Sequence, residues 1–309
     1  MCRYYSGVVS MFILTMLSLA SCESDVKLEI PSGGGQLVVF SFLCADSTMK
    51  VHLSKSVSHS SVDDFERVYD GYVIVKLNGM ELDSVAFPFD KTYLELPSIA
   101  VKQGDRFEIE GGTLSGLRAE GHTRIPYAPQ LIGVDSITET ITDNIPSVNY
   151  EVEFADPRDE ANYYQLVITS EVRDADNKIK EFYNVNFFKD DELFYIRDQE
   201  GSLLGGIDFL GSFSDYIITE ERYRIKVRVP SFYLATPGEN ERRIVRFHLL
   251  SLSEDYYKYL RSRVVAEYSY DLPIVDPIKI HSNIIGGLGL VGGMTFASDS
   301  VVYIGNGYN

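Results

Sequence analysis

The sequence predicts a mainly β protein, with an immunoglobulin-like β-sandwich over residues 36–126 and a second, larger β-sandwich over residues 127–309. Three observations support this prediction. Apolar runs of strand length recur along the chain, and turns that contain Asn or Gly separate them. Aromatic residues that favour strands are frequent, with 21 tyrosines and 17 phenylalanines. Pro126 and Pro129 interrupt the pattern and predict the domain boundary, because proline cannot donate a hydrogen bond to a sheet.

Six runs within residues 36–126 have the length and composition of strands. They are 36–44, 50–54, 71–77, 92–96, 107–110 and 117–124. The turn signals between them include Asn78-Gly79, which predicts a tight hairpin because both residues tolerate positive φ angles. Strands at this spacing over about 100 residues are typical of an immunoglobulin-like sandwich.

Six further runs predict the strands of the second sandwich. They are 131–140, 150–154, 163–172, 179–188, 222–229 and 242–252. Residues 150–154 and 222–229 alternate between apolar or aromatic and charged side chains, so each predicts a strand with one buried face. The acidic segment 189–216, which also contains glycine, predicts a long irregular excursion over the surface.

One α-helix is predicted near the C-terminal end of the second sandwich, over about residues 253–267. Ser253 can cap its N-terminus, and Glu254 and Asp255 complement the positive end of the helix dipole. After the helix, residues 280–285 precede an expected glycine-rich turn. Residues 294–298 and 301–304 are again strand-like.

Residues 1–21 have the layout of a secretory signal peptide. Their apolar run, 8–20, is too short for a permanent membrane-spanning helix. The sequence Leu19-Ala20-Ser21-Cys22 resembles the bacterial lipobox, which implies cleavage before Cys22 and acylation of its sulfur. Residues 22–35 then form a lipidated tether, and several acyl chains anchor a protein stably. The alternative is an ordinary signal peptide followed by a chance cysteine.

Charge and cysteine content limit the partners of the chain. The formal net charge is −17, and it becomes −18 when Arg3 leaves with the signal peptide. This acidity disfavours nucleic acid and anionic lipid surfaces as partners, so the membrane attachment must come from the lipid on Cys22. With Cys2 removed and Cys22 acylated, Cys44 alone remains. An intrachain disulfide is therefore excluded, and Cys44 is expected to be a buried structural thiol.

The densest group of carboxylates lies within residues 189–216 and is interleaved with aromatic residues. It predicts a loop that binds a cationic or metal-bearing ligand or docks on a partner, with the aromatic rings as anchors. The residues predicted for this role are Asp190, Asp191, Glu192, Phe194, Tyr195, Asp208, Phe213 and Asp215. The alternative, which the composition favours, is a set of solvated loops around a few core aromatic side chains.

The remaining motifs do not indicate catalysis, a cofactor or a metal. Residues 287–292 spell G-x-G-x-x-G, but a strand is predicted after them where a dinucleotide site needs a helix, so close strand packing is expected instead. The five histidines are scattered, and Lys178 replaces an oxygen ligand in the calcium-like segment 174–178. No G-x-S-x-G elbow occurs. We therefore expect a non-enzymatic protein with no catalytic residue, metal or cofactor; the alternative is a zinc site assembled in space from distant residues.

Several segments occur in an order that resembles a known family. They are the lipobox, 131–137, 156–157, 162–164, 251–260 and 283–293. Together they resemble the Bacteroidetes lipoprotein family catalogued as domain of unknown function 4249, over nearly the whole mature chain. The most specific parts of the resemblance are the helix start, 251–260, and the final glycine motif.

The resemblance implies a mainly β envelope lipoprotein without assigned catalytic residues. Members of the family are frequently encoded beside TonB-dependent outer-membrane transporters, so it implies a protein that captures substrate for such a transporter or docks at its outer mouth. Acidic residues after the acylated cysteine, here Glu23 and Asp25, resemble a signal for export to the extracellular face of the outer membrane. A structural or adhesive envelope module is the alternative function, and a flexible N-terminus is the alternative for Glu23 and Asp25. The ligand is not identified.

Overall fold

The computed structural model describes residues 34–58, 61–142, 144–157, 160–195, 207–269 and 278–305. The predicted signal peptide and most of the predicted tether, including Cys22, Glu23 and Asp25, lie outside these residues. The first eight strands are β1 (Leu37–Cys44), β2 (Met49–Lys55), β3 (Glu66–Arg67), β4 (Gly71–Leu77), β5 (Met80–Ala86), β6 (Tyr93–Leu96), β7 (Arg106–Thr113) and β8 (Arg118–Arg124).

Within the described ranges, eight further strands and one α-helix follow. The strands are β9 (Gln130–Thr142), β10 (Ile145–Ala155), β11 (Tyr163–Arg173), β12 (Ile179–Asn184), β13 (Ser212–Ser214), β14 (Arg222–Pro230), β15 (Arg242–Leu252) and β16 (Leu288–Ile304). The helix α1 (Glu254–Ser269) lies between β15 and β16. The excursion predicted over 189–216 also contains a short 3-10 helix, Glu192–Phe194, so it is less irregular than expected.

The strands form three sheets in the described part of the chain. The largest has nine strands in the order β12-β11-β15-β16-β1-β2-β3, with β13 beside β11 and β6 beside β2. A four-stranded sheet has the order β5-β4-β7-β8, and a three-stranded sheet has the order β14-β10-β9. The protein is therefore mainly β, as predicted.

Each small sheet packs on a different part of the nine-stranded sheet and buries a separate core. In the first core, Val75 of the four-stranded sheet packs in one cluster with Val39 of β1. In the second core, Val152 of the three-stranded sheet packs in one cluster with Phe247 of β15. All four side chains are fully buried. The result is two β-sandwiches that share one large sheet.

Strand β16 takes part in both sandwiches. Residues 288–294 of β16 pair in parallel with β1. Residues 294–304 pair antiparallel with β15. Val291 in the first half lies in the first core, and Val301 in the second half packs against the second core. One continuous strand therefore joins the two sandwiches.

The predicted boundary near residue 126 separates most of the two cores but does not separate the sheets. Ile284 and Val291, which the prediction assigned to the second sandwich, belong to the first core. The assignment of this C-terminal segment is thereby corrected, and the division into two domains stays a prediction. Parallel pairing between strands that are far apart in the chain leaves no local pattern from which it could be predicted.

The glycine stretch 286–293 is mostly strand rather than the expected turn, since β16 begins at Leu288. At Gly289 the φ angle is +115°, and a Cβ atom would lie 2.0 Å from the carbonyl oxygen of Val39. At Gly287 a Cβ atom would lie 2.4 Å from the carbonyl oxygen of Leu37. These glycines allow β16 to approach β1 closely, as expected from their packing interpretation. The chain continues as a strand beyond them, where a dinucleotide site would need a helix.

Local patterns predicted the regular elements well. Asn78 and Gly79 have φ angles of 52° and 84° in the turn between β4 and β5, as expected for a tight hairpin. Tyr150, Val152 and Phe154 of β10 are all at most 1% exposed, while the intervening glutamates face away from the core. The alternation predicted for this strand is confirmed.

Helix α1 begins where its capping residue predicted. The Ser253 Oγ atom accepts a hydrogen bond from the Tyr256 backbone N at 3.4 Å. Cys44 is half-buried rather than buried, because it alternates with Leu43 and lies on the face of β1 that carries Phe42. The Phe42 ring lies 5.1 Å from that of Tyr256, so this face packs against α1. Among the described residues, no helix combines the length and apolar character required to cross a membrane.

The substitution Gly289→Ala is expected to destabilise the protein. A side chain is strained at a φ angle of +115°, and the new Cβ atom would overlap the Val39 carbonyl oxygen. We expect the free energy of unfolding to fall by about 2 kcal/mol or more, measured by urea denaturation. Gly133→Ala is the control, because the nearest atom to its Cβ position is Asp299 Oδ2 at 3.9 Å. Equal stability of the two variants would contradict the role given to Gly289.

Candidate functional site

Asp191 from the predicted acidic segment is a structural residue, only 7% exposed. Its Oδ1 atom accepts hydrogen bonds from the Leu193 backbone N at 3.1 Å and from the Tyr223 hydroxyl at 2.9 Å. Its Oδ2 atom accepts one from the Lys226 backbone N at 3.1 Å. Burial and this hydrogen bond to the hydroxyl raise the pKa of Tyr223. The carboxylate caps the 3-10 helix and fastens it to β14.

Phe194 and Phe213 of the same segment are core residues. They are 4% and 1% exposed, and their ring centroids lie 5.6 Å apart. Phe213 also packs against Tyr164, with a centroid distance of 5.5 Å. These two residues match the alternative interpretation, in which loops surround a few core aromatic side chains.

Asp190 and Asp208 form ion pairs within the chain. The Asp190 carboxylate accepts hydrogen bonds from Arg228 Nε and Nη2, the latter at 3.0 Å. Lys189 Nζ lies 2.7 Å from Asp208 Oδ2. Both carboxylates remain about 40% exposed, whereas the side chains of Lys189 and Arg228 are mostly buried.

Glu192 and Tyr195 are, together with Asp190, the exposed members of the predicted set. Glu192 borders a cavity of about 900 Å³ above the charged faces of β10 and β14. Across those strands, Arg224 Nε lies 3.0 Å from Glu153 Oε2. Burial and the charge of Asp190 raise the pKa of Tyr195. A role of this segment in ligand or partner binding stays a prediction.

No metal site is formed by the residues that the structure describes: their histidine, cysteine, aspartate and glutamate side chains do not gather in groups of three or more suited to an ion.

A different cavity, which we call the junction cleft, lies where the two sandwiches meet. It has a volume of about 760 Å³. Its lining residues are Asn78, Gly104, Arg106, 122–124, 126–127, 160–163 and 251–255. Small-molecule sites commonly have this size and lie between packed units of a protein.

Charged and aromatic side chains face each other across the junction cleft. Arg124 Nη1, from the first sandwich, lies 3.9 Å from Glu160 Oε2, from the second. The Arg124 guanidinium carbon lies 5.7 Å from the centroid of the Tyr127 ring. Tyr127 is 58% exposed and offers ring surface to a ligand. The cleft can therefore bind a polar ligand through ion pairs, hydrogen bonds and an aromatic surface.

Tyr163 lies in the wall of the junction cleft, next to the start of α1. Its ring centroid is 4.8 Å from that of Tyr257. Burial, followed by the negative charge of Glu254, raises the pKa of Tyr163 to about 12. The phenol is protonated at neutral pH, as tyrosine ordinarily is, and it hydrogen-bonds to Glu254 beside the cleft.

The N-terminus of α1 is held at the junction cleft by a network of hydrogen bonds. The Ser253 backbone N donates to the Gly293 carbonyl at 2.8 Å, and Ser253 Oγ accepts from the Gly293 N at 3.1 Å. The Asp255 carboxylate accepts hydrogen bonds from His281 Nε2 at 2.8 Å and from Asn283 Nδ2 at 3.2 Å. The helix is thereby fixed to β16 and to the segment before it.

Asn283 connects this network to the first sandwich. Its Nδ2 atom donates to the carbonyl oxygens of His122 and Val291, both at 2.9 Å. Its Oδ1 atom accepts a hydrogen bond from the Val291 N at 3.0 Å. One side chain therefore links β8, β16 and α1 beside the cleft.

Asn162 orders the opposite wall of the junction cleft. Its backbone N and its Nδ2 atom donate to Asp215 Oδ2 at 2.8 and 3.1 Å, and Nδ2 also donates to the Pro157 carbonyl at 2.7 Å. Nearby, the Tyr164 hydroxyl donates to Asp156 Oδ1 at 2.7 Å. Asp215, a residue of the predicted acidic set, is therefore a structural partner of Asn162.

Three of the segments that carry the family resemblance, 162–164, 251–260 and 283–293, meet around the junction cleft. Residues 162–163 and 251–255 line it, and residues 283–293 hold the helix at its edge. Sequence reasoning did not single out Arg106, His122 or Arg124, because no motif marks them. The segments that resemble the family were the sequence signal that could have indicated the junction cleft.

The fold and the site define a class: a mainly β protein in which two sandwiches share a sheet and form a polar cleft at their junction. The chain belongs to the family described as a domain of unknown function, DUF4249, whose model matches residues 23–300. The predicted membership in domain of unknown function 4249 is thus confirmed, and lipidation of the chain stays a prediction. A search of curated proteins finds no match.

Two solved structures show weak similarity to the chain, with low sequence identity and low TM-scores. One is a β-glucuronidase from glycoside hydrolase family 2, with a TM-score of 0.23 and 10% identity over 90% of this chain. This chain spans 21% of the length of that enzyme. The other is a two-domain fibronectin type-III segment from chicken tenascin, with a TM-score of 0.21 and 11% identity, covering 70% of this chain and 91% of the segment. At these TM-scores neither likeness contributes to the functional interpretation.

The variants Asp191→Ala and Glu192→Ala should distinguish a structural residue of the acidic segment from an exposed one. Asp191→Ala leaves three donors without their buried acceptor, so we expect a loss of about 2–3 kcal/mol in the free energy of unfolding. Glu192→Ala removes an exposed side chain and should change stability by less than about 0.5 kcal/mol. Chemical denaturation checks both values. A stability of Asp191→Ala equal to that of wild type would contradict the structural role.

Proposed function

We propose that this protein is a non-catalytic lipoprotein of the outer membrane, displayed on the extracellular face, which assists a TonB-dependent transporter. The lipobox Leu19-Ala20-Ser21-Cys22 is the observation that carries the proposal. The match to the family model begins at residue 23, directly after the cysteine to be acylated. Glu23 and Asp25 follow it and support export to the outer face.

The junction cleft supports a role in substrate capture. It presents Arg106 and Arg124 on one side and Glu160 and Glu254 on the other. A ligand with both hydrogen-bonding and charged groups would find partners in this arrangement, and the exposed ring of Tyr127 would add an apolar contact. We infer that the cleft receives the substrate before it passes to the transporter.

The lipid anchor can be tested directly. When the chain is expressed with an alkyne analogue of palmitate, wild type should be labelled and should partition into the detergent phase of Triton X-114, because acyl chains on Cys22 bind micelles. Cys22→Ala should lose both properties. Cys44→Ala is the matched control and should keep both, since Cys44 lies within β1. Labelling of Cys22→Ala at the level of wild type would refute acylation at this residue.

The transporter partnership can be tested by affinity purification. The full chain, with a C-terminal tag and expressed in its own host, should co-purify a TonB-dependent transporter in a mild detergent. The cleft variant Arg124→Ala/Tyr127→Ala should still co-purify the transporter, because it alters the proposed capture site and not the anchor. Recovery of no transporter with wild type would refute the partnership.

A further inference from the structure

Strand β12 forms one edge of the nine-stranded sheet. No described strand pairs with the side of β12 that faces away from β11. All six of its residues are exposed. Three of them are large and apolar or aromatic: Ile179, Phe182 and Tyr183, at 46%, 55% and 42% exposed. An edge of this kind offers unpaired backbone N–H and C=O groups to another strand.

A β-bulge in β12 determines which of its side chains lie on each face of the sheet. Glu181 pairs with Val172 of β11, and Ile179 pairs with the next residue, Arg173, so Lys180 is the extra residue. Phe182 lies opposite Glu171. Ile179 and Phe182 consequently lie on the outer face of the sheet, and Lys180 and Glu181 lie together on the face turned to the second core.

The charges on the inner face of this edge are balanced. Lys180 forms an ion pair with Glu241, and Glu181 Oε2 lies 3.2 Å from Arg243 Nη2. The edge therefore carries no excess charge, although the whole chain has a formal net charge of −17. Two copies can approach each other here without the repulsion expected from the chain as a whole.

We propose that β12 pairs antiparallel with β12 of a second copy of this chain, so that the two nine-stranded sheets become continuous. In the register we infer, Lys180 lies opposite Glu181 of the second copy, and Ile179 lies opposite Phe182 of the second copy. Both pairs fall on matching faces: the ionic pair on the inner face, the apolar pair on the outer face. A two-fold axis repeats each pair, as an isologous interface requires.

The neighbouring contacts make this register self-complementary. On each side of the axis, four charges of alternating sign then form a row. They are Glu241 and Lys180 of one copy, followed by Glu181 and Arg243 of the other. Tyr183 and Tyr233 have ring centroids 6.1 Å apart, and the adjoining Phe232 is 68% exposed. These rings extend the apolar area that pairing would cover. The inference goes beyond the proposed function, because it does not depend on the lipid anchor or on a transporter.

The oligomeric state of the full chain, purified in detergent solution, tests this proposal by light scattering coupled to size-exclusion chromatography. Wild type should be a dimer whose fraction rises with protein concentration. Phe182→Lys should raise the dissociation constant at least about tenfold, because it places a charge opposite Ile179. Phe89→Lys is the matched control: Phe89 is 67% exposed, lies outside the strands, and should leave the dimer unchanged.

A second variant keeps the test decisive if Phe182→Lys fails to fold. Lys180→Glu alters an exposed residue and places a second carboxylate opposite Glu181 of the other copy, so it should also weaken the dimer, and more strongly at low salt. The proposal would be overturned if wild type stayed monomeric up to about 200 µM, because this concentration is far above a micromolar dissociation constant. A dimer that both β12 variants leave intact would also overturn it.

Discussion

The close parallel pairing of β16 with β1 is the interaction on which the rest of this structure depends. It requires glycine at the points of contact, because a Cβ atom at Gly289 or Gly287 would overlap the carbonyl oxygens of β1. Through this pairing, β16 supplies Val291 to the first core before it continues to β15 and the second core. The nine-stranded sheet is continuous for this reason. Without the pairing the two sandwiches would have no common sheet and no fixed junction.

The junction cleft follows from the same constraint. Because β16 is fixed to β1, the loop before it reaches β8 through Asn283, and the start of α1 is held through Ser253. The start of α1 and the loop before β16 are therefore fastened by hydrogen bonds beside the cleft, as a preformed binding site requires. The family resemblance is concentrated in these same segments. Residues that are distant in the sequence act together as the support of one place in the structure.

Local physical chemistry made much of the fold predictable. The alternation of Tyr150, Val152 and Phe154 predicted a strand with one buried face, and Ser253 predicted the start of α1. The pairing of β1 with β16 could not be predicted, because it joins strands from opposite ends of the chain and has no local signal. The candidate site was less predictable. An acidic residue such as Asp191 has the same sequence signature whether it binds a ligand or caps a helix, and burial decides between these roles. The junction cleft was absent from the predictions because Arg124 and Glu160 meet only after folding.

The adjacency of β1 and β16 also bears on how the protein folds. Val38 lies opposite Leu288, so about 250 residues separate partners in the same pair of strands. Contacts of such high contact order form late, because a long loop must close before they are gained. The first sandwich is synthesised first, yet its core lacks Ile284 and Val291 until nearly the whole chain has been made. The edge of β1 stays open during that interval, and a chaperone that covers exposed strand edges would protect it from aggregation.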